Sequence, residues 1–185
     1  QKGLMLPPGL SFNAISGKAL KAHENAGMTR SYWDWSAMLQ ANKGGAFPYT
    51  PATNLLYGLD EAIAMLQEEG LANVFQRHAR LADAAWGLET VALEASEKSN
   101  SLTAVMLPDG HDADAFRGVV LQRFNMSLGN GLGRLAGRAF RIGHLGDFNE
   151  LMLAGTLSGV EMGLAAAGVP HERGGVQAAL DFLSA

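Results

Sequence analysis

The sequence predicts an α/β protein. Apolar stripes at helical spacing alternate with short apolar runs in the second half of the chain, and glycine or proline separates most of them. With 185 residues, 48% of them apolar and 17% charged, the chain has the composition of a folded protein and the length of one domain or slightly more. Disordered and collagen-like classes are therefore excluded.

Charge and cysteine content restrict the partners and the chemistry. The 14 basic and 18 acidic residues are scattered and give a net charge of -4, so no basic patch offers a site for nucleic acid or an anionic membrane. No apolar run reaches the ~18 residues of a spanning helix, and no signal-peptide pattern is visible, so we expect a soluble, cytoplasmic protein. The lack of cysteine excludes disulfides, thiolate metal sites and a cysteine nucleophile.

The first fifteen residues are predicted to form two strands around a Pro7-Pro8-Gly9 turn, because apolar residues alternate on both sides of it. The alternating positions are Lys2, Leu4, Leu6, Leu10, Phe12 and Ala14. Two strands alone are unstable in water, so we expect them to join a sheet whose other strands precede Gln1. A processed N-terminus is the alternative.

Helices are predicted next. Residues 17–27 favour a short helix, and Thr50 followed by Pro51 is typical of an N-cap and a first helical residue. That helix is expected to end at Gly70, with a second one directly after it. We place a domain boundary there, between residues 1–69, the end of a larger sheet domain, and residues 70–185, a smaller α/β domain.

The second domain is predicted to alternate strand and helix. The expected order is a strand at 102–107, a helix at 116–124, a glycine-rich turn at 129–133, a strand at 140–142 and helices at 150–164 and 176–183. Asp147, with Glu150 three residues later, resembles a capping box and marks the start of the penultimate helix. The five histidines form no His-x-x-x-His pair, so no metal site is expected.

Lys2 is the first candidate for chemistry. It lies on an apolar predicted strand, where burial would lower the pKa of its amine from about 10.4 and make the amine nucleophilic. An exposed lysine is the alternative.

Arg141 is the second candidate. Strand alternation turns it away from Phe140 and Ile142, which leaves the guanidinium free for a cleft. A planar guanidinium binds a carboxylate through two parallel hydrogen bonds. A surface ion pair is the alternative.

Several segments resemble the class V pyridoxal-phosphate aminotransferases. Residues 1–10, Gln-Lys-Gly-Leu-Met-Leu-Pro-Pro-Gly-Leu, resemble the segment that surrounds the family's Schiff-base lysine. Further segments resemble the glyoxylate-using members: Tyr49–Pro51, Leu55–Leu59, Glu69–Leu71, Arg77–Leu81, Asn125–Gly129, Phe140–Gly146 and Asn149–Leu151. The resemblance covers the whole chain, which would correspond to the C-terminal half of a family member.

The resemblance implies fold type I, with residues 1–69 ending a large parallel-sheet domain that binds pyridoxal phosphate. Lys2 would carry the cofactor and act as the base, and Gln1 would hydrogen-bond the cofactor phosphate. The segment with Tyr49 and Thr50 would reach the phosphate site of the neighbouring subunit, which implies a homodimer with shared active sites. This sequence has Phe47 where the family has a tyrosine three residues before the threonine.

The resemblance also implies transamination with Arg141 as the binding residue for the α-carboxylate. Serine would give its amino group to glyoxylate, producing hydroxypyruvate and glycine. Alanine or aspartate as donor is the alternative, because those enzymes share the lysine and the arginine. A non-catalytic fragment is a further alternative if the chain stands alone. A class V cysteine desulfurase is excluded because its chemistry needs a cysteine.

Overall fold

A computed structural model describes residues 1–86 and 97–185. The described residues form seven α-helices and three β-strands: α1 (Gly17–Glu24), α2 (Trp35–Lys43), α3 (Thr53–Glu69), α4 (Leu71–Ala85), β1 (Leu102–Met106), α5 (Ala113–Phe124), β2 (Gly129–Asn130), β3 (Ala139–Gly143), α6 (Glu150–Ala166) and α7 (Gly175–Ser184). The predicted α/β class is confirmed. The chain divides into two compact units, one of Gln1 with Leu6–Ile63 and the other of Lys2–Met5 with Ala64–Ala185.

The two strands predicted over residues 2–14 are wrong. Residues 2–5 form a turn in which the Met5 N–H donates to the Lys2 carbonyl (2.9 Å), and residues 6–15 have no strand structure. Apolar residues of this stretch pack on α3 instead, since a Cβ on Gly58 would lie 2.6 Å from Leu6 Cδ2. The alternation therefore reflects contacts with a helix rather than a sheet face.

α1 and α2 are joined by a capping residue. The Asp34 carboxylate accepts the Ser36 N–H (2.8 Å) at the start of α2 and also bonds Nε2 of His23 (3.1 Å), a buried residue of α1. The Ser36 N–H is the main reason why the pKa of Asp34 is lowered. The helix predicted at 17–27 is confirmed, although it ends at Glu24.

The predicted cap of α3 is wrong, whereas its predicted end is confirmed. The Ala52 carbonyl, not that of Thr50, accepts the first helical bond, from Leu56 N–H (3.1 Å). The Thr53 hydroxyl donates to the Pro51 carbonyl (3.3 Å), and such local bonds of threonine compete with helical pairing. Gly70 ends the helix with a positive φ (82°), which glycine adopts without strain.

The three strands form one antiparallel sheet in the order β1-β3-β2. In the central strand β3, Phe140 and Ile142 are fully buried, and the Phe140 ring lies 4.8 Å from the Phe116 ring of α5. Both strands predicted in this domain are confirmed. The turn predicted at 129–133 is wrong at its start, because Gly129 and Asn130 pair with β3.

The helices that cover the sheet have their own caps. Asp112 accepts the Asp114 and Ala115 N–H groups at the start of α5 (2.7 and 3.1 Å). The capping box predicted from Asp147 is wrong, since the side chain of Asn149 accepts the Met152 N–H (3.0 Å) and caps α6. Among the described residues, no helix combines the length and the apolar character needed to span a bilayer.

Candidate active site

Arg141 lies at the middle of the sheet with its guanidinium partly bound. The side chain is half-buried, and its Nε donates to the Asn130 carbonyl on β2 (2.8 Å). Nη1 and Nη2 make no hydrogen bond to residues 1–86 or 97–185. The end of the guanidinium therefore keeps the two parallel donors that a carboxylate needs.

Gly129 forms the support beneath this arginine. It faces Arg141 directly across the β2–β3 pair, and a Cβ at this position would lie 3.1 Å from Arg141 Cβ and 3.3 Å from Nε. A glycine here allows the arginine side chain to lie close over β2. The backbone of β2 thus fixes the direction of the guanidinium.

Lys2 lies in the same compact unit as Arg141 but not in the expected environment. It is exposed and belongs to the turn of residues 2–5, so the prediction of a buried strand lysine is wrong. Its amine has no hydrogen-bond or ion-pair partner within the two described ranges. The amine is therefore accessible to a ligand, but burial does not activate it as a nucleophile in the way the sequence predicted.

Gln1, Tyr49 and Thr50 belong to the other unit, and all three are exposed. The Tyr49 hydroxyl donates to the Ser31 carbonyl (3.4 Å), and its ring lies 4.9 Å from that of Tyr32. The side chains of Gln1 and Thr50 have no hydrogen-bond partner in the described part of the chain. Both therefore remain available as donors.

The side chains predicted for the site fit pyridoxal phosphate in their chemistry. The amine of Lys2 suits the aldehyde, and the amide of Gln1 and the hydroxyl of Thr50 are donors suited to a phosphate. The free end of Arg141 suits the carboxylate of an amino acid. None of these groups forms a salt bridge with another residue of 1–86 or 97–185.

Two residues of α4 contact the loop after β3, and their roles were not predicted. Arg77 forms a two-pronged ion pair with Glu69 (both bonds 2.7 Å), and its Nη1 donates to the carbonyls of Gly146 (2.9 Å) and Phe148 (2.7 Å). This pairing lowers the pKa of Glu69 and raises that of Arg77. Nε2 of His78 accepts the Gly146 N–H (3.1 Å).

His144, at the start of the same loop, is fully buried. Its Nε2 bonds the Thr103 hydroxyl (2.9 Å), whereas Nδ1 has no partner among the described residues. Burial is the main reason why the pKa of His144 is lowered. The ring is therefore held neutral inside the fold.

Known proteins give a consistent comparison. No protein-family model matches the chain. The chain is 48% identical to a serine–glyoxylate aminotransferase of Methylorubrum extorquens and 45% identical to one of Arabidopsis thaliana; each match covers 99% of this chain and 48% of the relative. The chain thus spans about half the length of the curated relatives it matches.

A solved structure agrees with these matches. The ureidoglycine–glyoxylate aminotransferase of Bacillus subtilis is 30% identical, with a TM-score of 0.86 over 100% of this chain and 50% of that one. The chain belongs to the class V pyridoxal-phosphate-dependent aminotransferases and corresponds to their C-terminal half. Within that family it is similar to the serine–glyoxylate aminotransferases, as the sequence motifs predict.

Proposed function

We propose that this chain supplies the C-terminal half of an aminotransferase that moves the amino group of L-serine to glyoxylate, giving hydroxypyruvate and glycine. The main support for this proposal is that the chain is 48% and 45% identical to two serine–glyoxylate aminotransferases over 99% of its length. In this proposal, residues 1–69 end the large cofactor-binding domain and residues 70–185 form the small domain. The cytoplasmic location stays a prediction.

The proposed cofactor is pyridoxal phosphate, which withdraws electrons from the substrate α-carbon when it is bound. Lys2 carries it covalently and moves the proton at the α-carbon, a role that needs an amine without an ion-pair partner. Gln1 and the segment of Tyr49 and Thr50 donate hydrogen bonds to its phosphate. The exposure of these three side chains supports that role.

Arg141 is the proposed anchor of the substrate. Its Nη1 and Nη2 bind the α-carboxylate side by side, while the bond from Nε to Asn130 keeps the guanidinium in one orientation. Serine and glyoxylate both carry a carboxylate, so one anchor serves both half-reactions.

Peptide mapping after borohydride reduction tests the cofactor assignment in the native protein. We expect a pyridoxyl label on Lys2. A label on Lys18, Lys21 or Lys43 instead would refute the assignment.

Aspartate is the second candidate for the amino donor. The chain is 39% identical to an L-aspartate–glyoxylate aminotransferase of Paracoccus denitrificans over 97% of its own length. Turnover with glyoxylate and serine, aspartate or alanine separates the candidates. A higher kcat/KM with aspartate or alanine than with serine would overturn the proposed donor.

A homodimer with shared active sites is part of the same proposal. The exposed Thr50 segment, which resembles the segment that reaches a neighbouring phosphate site, supports it. Sedimentation of the active protein should show two or more chains, and an active monomer would contradict the proposal.

A further inference from the structure

The loop between β3 and α6 is held by α4 through its backbone. Arg77 donates to the carbonyls of Gly146 and Phe148, and His78 accepts the Gly146 N–H. Both backbone polar groups of Gly146 are therefore bound by α4. No proposed catalytic role accounts for these contacts.

Arg77 and His78 are themselves fixed in place. The ion pair with Glu69 restrains two nitrogens of the Arg77 guanidinium, Nε and Nη2, and Nδ1 of His78 bonds the Val74 carbonyl (2.7 Å). A carbonyl only accepts, so Nδ1 carries the proton and Nε2 is free to accept from Gly146. The two contacts thus fix the orientation of the imidazole ring.

The other side of this loop contacts the turn that carries Lys2. The Asp147 N–H donates to the Met5 sulfur (2.8 Å). Gly146 has a left-handed conformation (φ 80°), and a Cβ there would lie 2.7 Å from Met5 Cγ. Met5 in turn donates its N–H to the Lys2 carbonyl (2.9 Å).

The same loop is continuous with the strand of Arg141. Only five positions separate Arg141 from Gly146, and β3 ends at Gly143 between them. A shift of the loop would therefore move the Lys2 turn relative to β3. Misplacement of a catalytic group by about 1 Å can cost about 100-fold in rate.

We propose that Arg77 and His78 are positioning residues for Lys2, because they hold residues 146–148 against Met5 and so set the Lys2 amine relative to the strand of Arg141. This inference rests on the proposed role of Lys2. It assigns a task in the reaction to α4, a helix that carries none of the proposed catalytic or binding residues.

The test uses Arg77→Gln, Met5→Ala and the double variant of the native holoenzyme. Each single variant should lower kcat by about 10- to 100-fold. It should also raise the α-deuterium isotope effect and shift the pH midpoint of the cofactor's visible absorbance, because the amine is displaced. Arg77 and Met5 act through one loop, so the double variant should be no slower than the worse single variant.

Arg80→Gln is the matched control. Arg80 lies on the same helix and binds Glu150 (3.6 Å) and the Leu183 carbonyl (2.6 Å), at positions away from residues 146–148. We expect it to lower stability slightly and to leave the isotope effect and the absorbance midpoint unchanged.

The possible failures are distinguishable. If borohydride labels Lys2 but the isotope effect and the midpoint do not move in the variants, the contact of residues 146–148 with Met5 does not position Lys2, and the positioning proposal is overturned alone. Multiplicative losses in the double variant would also overturn it. If Lys2 of the unsubstituted protein takes no label, the proposed function falls as well. If Arg77→Gln does not fold, Met5→Ala, at a residue 39% exposed, decides the outcome through the same two measurements.

Discussion

The guanidinium of Arg141 shows how the backbone can orient a side chain. One of its three nitrogens is bound to the Asn130 carbonyl, and two remain for a ligand. A lysine at this position would offer a point charge without the parallel pair of donors. The proposed recognition of a carboxylate therefore depends on shape as well as on charge.

Arg141→Lys should lower kcat/KM by about 10- to 100-fold, since a hydrogen bond to a charged group contributes roughly 1.5–3 kcal/mol. The loss should appear with serine and with glyoxylate, and the cofactor absorbance should persist. Arg134→Lys and Arg138→Lys, at exposed positions, are the controls. Equal behaviour of Arg141→Lys and these controls in both half-reactions would place the carboxylate anchor elsewhere.

Gly129→Ala should raise KM for the amino acid by a smaller factor than Arg141→Lys. The added methyl group would lie 3.1 Å from Arg141 Cβ, which is tight enough to push the arginine by a few tenths of an ångström. Steady-state kinetics with serine measure the effect. An unchanged KM would mean that β2 does not control the direction of the guanidinium.

At the scale of an element, two glycines of α6 have opposite effects on the stability of the fold. Gly155 is exposed and has open space around it, whereas a Cβ on Gly163 would lie 2.5 Å from Val120 Cγ2 of α5. The first glycine only weakens the helix, but the second allows α5 and α6 to approach.

Gly155→Ala should therefore stabilise the native protein by about 0.5–1 kcal/mol, because alanine has the higher helix propensity. Gly163→Ala should destabilise it by about 1–3 kcal/mol through overpacking. Urea unfolding of the two variants makes the comparison within one helix. The same sign for both would contradict the packing described for α6.

The elements also show what could be predicted from sequence. Gly70 and the apolar runs of β1 and β3 were predicted correctly because each depends on its own neighbours in the chain. The N-terminal strands were not, since Leu6 alternates like a strand residue yet packs on a helix. The role of Arg77 could not be predicted, because its partners are backbone carbonyls 69 and 71 positions away.

At the scale of the whole molecule, the buried His144 links stability to pH. Its pKa in the folded protein lies below the ordinary 6.5. Between these two pKa values the unfolded chain binds a proton that the folded protein does not, so stability is complete above pH 6.5 and is lost as the pH falls through the folded pKa.

Urea unfolding at about pH 7.5 and about pH 5.5 should show this loss, with a contribution from one histidine of up to about 1.4 kcal/mol per pH unit. His144→Asn should reduce the pH dependence. A pH dependence that survives His144→Asn in full would assign the effect to other groups.

The contact between Met5 and Asp147 has a consequence for how the protein acquires its structure, because it joins positions 142 residues apart. At about 5–20 residues per second, a ribosome needs roughly 7–28 s to synthesise the chain between them. During that interval the turn of residues 2–5 cannot make its contact with Asp147, because Asp147 has not yet been synthesised. Contacts of such long range also form late in folding, since closing the loop costs entropy before any packing is gained. The Lys2 amine, which is synthesised well before residue 147, is therefore among the last groups to reach its final place, and a nascent chain released before residue 147 would carry Lys2 without the support that orients it.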